Sequence, residues 1–192
     1  MIQLYLPIPH YNEIKYEVLF MYEECEIETF PIDCFEIARR LYYHLVPYSC
    51  LPDHALRLAM QYSPDGFSTI YHNPNTRMYE WYIFYNDYNC FQRQRWTIFH
   101  EIGHIYLGHF EDDFMTYEEK ESEANFFAKY SIAPPPLINI TDCKSPSDIA
   151  DNFYVSGEAS VYIFTSFQKW KNYGPLEYEP FEIKMLEQFH VA

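Results

Sequence analysis

Apolar residues return at helical spacing in two early segments, 10–25 and 33–46. In the second, "FEIARRLYYHLV" puts Phe35, Ile37, Ala38, Leu41, Tyr42 and Leu45 on one face, and "PYSCLPD" then breaks the pattern. A shorter helix is predicted over 53–62, ended by the turn-forming "SPDG". The period then drops to that of strands. "FSTIYH" and "MYEWYIFYND", separated by "NPNTR", read as an antiparallel hairpin: β-branched and aromatic residues fill the runs, and Asn and Pro favour the turn. Tyr79, Trp81, Ile83 and Tyr85 share one face of the second run and Tyr82 and Phe84 the other, so both faces are expected to be covered.

Helical spacing resumes over 92–107 and ends near Gly108, a fitting C-cap. The acidic stretch "EDDFMTYEEKESE" reads as a solvated loop and helix start leading into "ANFFAKYSIA", which must stop by Pro134–Pro136. Ser145 supplies an N-cap, with Pro146 at the first helical position and Asp148 completing a capping-box-like start. A short helix, a break at Tyr154–Ser156 and a longer helix follow, and the tail from Gly174 is too mixed to assign. The expected organisation is a core over 1–140, with N-terminal helices, and a C-terminal helical pair over 141–192 packed on it.

Composition sharpens this picture in three ways. With 192 residues, 20 Tyr and 16 Phe, the chain can build one ring-rich core. Its formal charge of −15, from 28 acidic and 13 basic residues, repels polyanions and suits a basic partner, so direct nucleic-acid binding is not expected. The five cysteines form no CxxC pair and are odd in number, which fits reduced thiols in a cytoplasmic protein. "MIQLYLPIPHYNEIKYE" lacks a basic region followed by an apolar run, and no membrane association is expected.

The chemistry concentrates in "RWTIFHEIGHIYLGHF". On a helix, His100 and His104 are rotated by only about 40° and reach one point. Glu101 completes HExxH spacing, which suits zinc: two imidazoles bind the ion while the neighbouring carboxylate handles water. Chance could place two histidines on an exposed helix, but Trp96, Ile98, Phe99, Ile102, Ile105, Tyr106 and Leu107 make this helix apolar nearly all round. Buried imidazoles and a buried carboxylate need partners, and a metal supplies them. His109 is read as a surface or capping residue, since a continued helix turns it about 140° from His104.

A third ligand must come from another segment, and "ESEANFFAKY" offers Glu121 and Glu123. About 200° apart on a helix, they cannot both face the site. Glu123 is taken as the ligand, because it leads into Ala124 and Ala128, a small-residue stripe that lets two helices approach.

"RQRWTIFHEIGHIYLGH" followed by "ESEANFFA" resembles the ImmA/IrrE family of bacterial and phage metallopeptidases. "DGFSTIYHNPNTRMYEWYIFYND" is similar to that family's hairpin and "FPIDCFEIARRL" to its early helix, so the likeness runs over roughly residues 30–170. Phe99 departs from the small residue usual before the first histidine, and "YSIAPPP" from the usual leucine-methionine-proline ending. The resemblance implies an α+β, zincin-like fold, mostly helical, with a small antiparallel sheet on the HExxH helix. It implies zinc at His100, His104 and Glu123, Glu101 as the catalytic carboxylate, and a helix-turn-helix repressor as the protein substrate. An extended substrate is expected to pair with a sheet edge near Tyr82 and Phe84.

Two other readings compete. "DIADNFYVSGEASVYIF" has helix-turn-helix spacing, but its second helix meets no basic residue before Lys169, which disfavours a DNA reader. A catalytically silent zinc sensor or scaffold would have no use for Glu101.

Overall fold

A computed structural model describes residues 8–191. Residues 1–7, part of the stretch read for a targeting signal, lie outside them. Helix α1 (Ile8–Glu24) leads to α2 (Cys34–Arg40), where the Asp33 carboxylate accepts from the Phe35 amide as N-cap. The predicted helix over 33–46 stops early: Tyr42 takes a left-handed φ of 59°, and the chain continues as strand β1 (His44–Pro47). Pairing with a distant strand overrides the local helical pattern there.

A 3₁₀ turn (Tyr48–Cys50) and α3 (Asp53–Tyr62) precede the hairpin of β2 (Gly66–His72) and β3 (Tyr79–Tyr85). The order is β1-β3-β2, with β2 antiparallel to β3 and β1 parallel to it, His44 standing opposite Tyr82 and Val46 opposite Phe84. The sheet is therefore mixed where a purely antiparallel one was expected. Tyr82 and Phe84 lie on its central strand, with main-chain partners on both sides, so they form no docking edge. The outer edges of this sheet belong to β1 and β2.

Next comes α4 (Phe91–Tyr106), the centre of the fold: the sheet rests against it, and α5 (Tyr117–Ile132) packs along it. Sheet and helix meet very closely, for a Cβ on Gly66 would lie 2.6 Å from both the Phe84 carbonyl oxygen and Thr97 Cγ2. Helix α5 begins inside the stretch read as irregular. There the Thr116 hydroxyl accepts from the Glu119 amide, and the Glu119 carboxylate accepts from the Thr116 amide.

Pro135 then opens a short α6 (Pro135–Ile140), because proline is at home in a first helical turn. Helix α7 (Pro146–Phe153) starts at the Ser145–Asp148 capping box, and α8 (Gly157–Tyr173) follows the turn at Tyr154. In the unassigned tail, Glu179 and Glu182 form a box that starts α9 (Pro180–Gln188). One continuous core joins Val18 and Tyr22 of α1, Ile83 of β3, Ile98, Phe99 and Ile102 of α4, Phe127 of α5 and Phe153, Ile163 and Phe167 of α7 and α8. No helix among the described residues is long and apolar enough to cross a membrane.

Arg95 fastens the C-terminal pair to the central helix. It is buried, and its guanidinium donates to the carbonyls of Phe153 (2.6 Å), Tyr154 (2.8 Å) and Ile32 (2.7 Å). Burial lowers its pKa, since removal from water penalises the charged form. Arg95→Leu would strip two buried carbonyls and one half-buried carbonyl of their charged donor. The expected cost is about 3 kcal/mol or more, read as a fall in the urea midpoint; an unchanged midpoint would exclude the clamp.

Candidate metal centre

Helix α4 buries Ile98, Phe99 and Ile102 and turns His100 and His104 towards a cavity of about 700 Å³, whose wall also includes Ser68, Glu101, Tyr117, Glu121 and Asn125. The spacing of one helical turn brings the two Nε2 atoms to 3.1 Å. Glu121 of α5 completes a trio, with Oε1 at 3.2 Å from His104 Nε2 and Oε2 at 3.5 Å from His100 Nε2. The adjoining imidazoles, His100 first and then His104, hold the Glu121 carboxyl well below the usual carboxylate range, against the opposing effect of its burial.

These atoms suit a small divalent cation. In a tetrahedral site with bonds of 2.0–2.1 Å, neighbouring ligand atoms stand about 3.3–3.4 Å apart. The two Nε2 atoms, 3.1 Å apart, and the Glu121 oxygens nearest them, Oε1 at 3.2 Å from His104 and Oε2 at 3.5 Å from His100, lie close to that value. Two imidazoles and one carboxylate are also the donor types that zinc accepts, and three ligands leave one position open.

Glu123 stands elsewhere, which corrects the expected set. Ala124 and Ala128 follow Glu121 by three and seven residues and therefore share its side of α5, whereas Glu123 is rotated about 100° from Ala124. Across this face, a Cβ on Gly103 would sit 3.0–3.2 Å from atoms of Phe127, so the helices meet with almost no spacer. Glu123 instead lies beneath the end of α4, with Oε2 at 2.8 Å from His109 Nε2 and Oε1 at 2.7 Å from His10 Nδ1.

His109 is buried, not a surface or capping residue. Gly108 takes a left-handed φ of 71° after the last helical residue. Its amide donates to the Ile105 carbonyl and the His109 amide to the His104 carbonyl, both at 3.0 Å, which is a Schellman turn. That turn folds His109 back against His104, with their Nδ1 atoms 2.9 Å apart. The Lys120 ammonium holds the returning chain by donating to the carbonyls of His109 and Asp112.

Glu101 is buried on the cavity wall, and its Oε2 accepts a 2.6 Å hydrogen bond from the Ser68 hydroxyl of β2. Nothing in the spacing of the sequence pointed to Ser68. The others had signals: Thr116 and Glu119 fix the phase of α5, and Gly108 marks the turn that returns His109.

A sequence model of the IrrE N-terminal-like domain, a peptidase domain, matches residues 50–162. None of the curated proteins matches the chain.

Helix approach can be tested without reference to chemistry. Gly103→Val should push against Phe127 and destabilise the fold by about 1–3 kcal/mol in thermal or urea unfolding. A variant as stable as the unsubstituted chain would show that this contact does not set the helix spacing.

Proposed function

Because that match spans more than half of its length, the chain belongs to the IrrE N-terminal-like peptidase family, and from this premise we propose that it is a zinc-dependent endopeptidase whose ion is held by His100, His104 and Glu121. The observation that carries this reading is the convergence of two Nε2 atoms and one carboxylate at 3.1–3.5 Å, with Glu101 on the same cavity wall. A zinc ion held by these residues would supply a Lewis acid for a peptide carbonyl and would make water acidic enough to act as a nucleophile near neutral pH.

The chain's own groups do the rest. Glu101 accepts the proton of the attacking water and delivers it to the departing amine, while the Ser68 hydroxyl fixes the orientation of its carboxylate. Tyr62 and Tyr117 bring phenols to the cavity wall. The Tyr117 phenol, whose pKa is raised by the Glu121 charge and then by burial, can donate to a developing oxyanion. Substrate enters as an extended segment along the free edge of β2, which meets the cavity at Gly66, Phe67 and Ser68.

A protein substrate with basic character fits the −15 charge, and a helix-turn-helix repressor is the substrate class we propose. In this reading the α7–α8 pair is a packing element, not a DNA reader: Ile149, Phe153, Ile163 and Phe167 are buried, and Lys169 is the first basic residue of α8. Glu101 is intact and held by Ser68, which favours catalysis over a silent sensor or scaffold.

Incubation with a repressor encoded beside it should give cleavage that a chelator stops and zinc restores. Glu101→Gln should keep one zinc per chain and lose cleavage by about 10²–10⁴-fold; cutting at the unsubstituted rate would remove Glu101 from this role. Glu121→Ala should emerge from desalting without zinc, measured by elemental analysis. Full retention of zinc there would show the ligand set to be wrong.

A further inference from the structure

We infer that Glu123 and His109 form a buried positioning chain that fixes the tautomer and orientation of His104 for the metal. The inference rests on the ligand set proposed above and concerns residues outside it. Glu123 and His109 are each only 4% exposed, and they come from separate elements: one from the middle of α5, the other from the turn after α4. Their contacts with His104 run in a single line. His104 Nδ1 lies 2.9 Å from His109 Nδ1, and His109 Nε2 lies 2.8 Å from Glu123 Oε2.

An ionised carboxylate accepts hydrogen bonds and donates none. His109 must therefore carry its proton on Nε2 to meet Glu123. Its Nδ1 is then bare and accepts, so the proton of His104 is drawn to Nδ1. That leaves the Nε2 lone pair of His104 free and aimed at His100 and Glu121. A carboxylate beyond the His109 ring thus selects the tautomer a metal needs, and the contacts hold the His104 and His109 rings in a fixed edge-on arrangement, 73° between their planes. Beyond His109, His10 Nδ1 of α1 stands 2.7 Å from the other Glu123 oxygen, within ion-pair distance but without hydrogen-bond geometry.

His100 has no such support. Its Nδ1 is buried and without a hydrogen-bond partner among the described residues. The two histidines are therefore unequal: His104 is held in its binding orientation beforehand, and His100 is oriented by the ion.

Zinc affinity and the visible spectrum of the cobalt-substituted protein read this directly. Glu123→Gln preserves shape but replaces an acceptor-only carboxylate with an amide that can either donate or accept, so His109 is no longer bound to carry its proton on Nε2. We expect Glu123→Gln and His109→Phe to weaken zinc binding by about 10–100-fold in a competition titration with a coloured chelator. Their cobalt spectra should change, while His109→Gln, whose carbonyl can still accept from His104, should lose less. Circular dichroism and unfolding of the metal-free variants separate this from damage to the fold, and the isosteric Glu123→Gln decides the matter if His109→Phe does not fold. Zinc affinity and cobalt spectrum both unchanged in Glu123→Gln would overturn the positioning role. An unsubstituted chain that takes up no zinc would instead overturn the ligand reading, before any variant is compared.

Discussion

Phe127 lies so close to Gly103 that a Cβ there would come within 3.0–3.2 Å of the ring atoms, and this contact sets the distance between α4 and α5. A glutamate side chain is short. It can span to a neighbouring helix only where small residues let the backbones approach, and Gly103 on one helix with Ala124 and Ala128 on the other provide that. The same closeness fixes rotation as well as distance. Once Phe127 is seated, Glu121 emerges on the side of His100 and His104, and Glu123 on the side of the chain returning through Gly108. Packing of apolar groups thus decides which carboxylate meets which imidazole.

Three glutamates near the centre have separate partners for this reason. Glu101 is held by Ser68 of the sheet, Glu121 by the two histidines of α4, and Glu123 by His109, with His10 at ion-pair distance. In a chain with 28 acidic residues, three buried or half-buried carboxylates near one cavity would repel one another if left unpaired. Each is instead set against a donor from a different element. The polar interior therefore ties sheet, α1, α4 and α5 together, and no two of these could shift independently without breaking a buried hydrogen bond or ion pair.

Much of this was legible in the sequence where the determinant was local. Helix α3 runs over the predicted 53–62, the hairpin falls where the period drops to two, and Ser145, Pro146 and Asp148 start α7 as their residue types require. The His100–Glu101–His104 spacing was equally plain, being a property of one helix. What failed was non-local or misphased. Residues 44–46 look helical by their apolar spacing, and only the pairing with β3 makes them part of a strand. The choice between Glu121 and Glu123 was read from sequence adjacency to Ala124, when helical rotation was the relevant measure. His109 was placed by extending a straight helix past a glycine that ends it.

The strand that was missed also changes where a peptide can lie. With β1 paired along Tyr82–Tyr85, the main chain of β3 has no donors or acceptors to spare there, however aromatic its faces. The open edges lie on β1 and β2, and of the two β2 lines the cavity and carries Ser68. A substrate segment added to that edge would therefore lie beside the residue that orients Glu101, so that binding and the placement of the base act through one strand. Gly66 reinforces this coupling. Because there is no room for a Cβ between Phe84 and Thr97, β2 is pressed against α4 at the point where it enters the cavity. Any movement of the edge strand on binding must then be felt by the helix that carries His100, Glu101 and His104, which makes a rigid β2 part of the site's geometry.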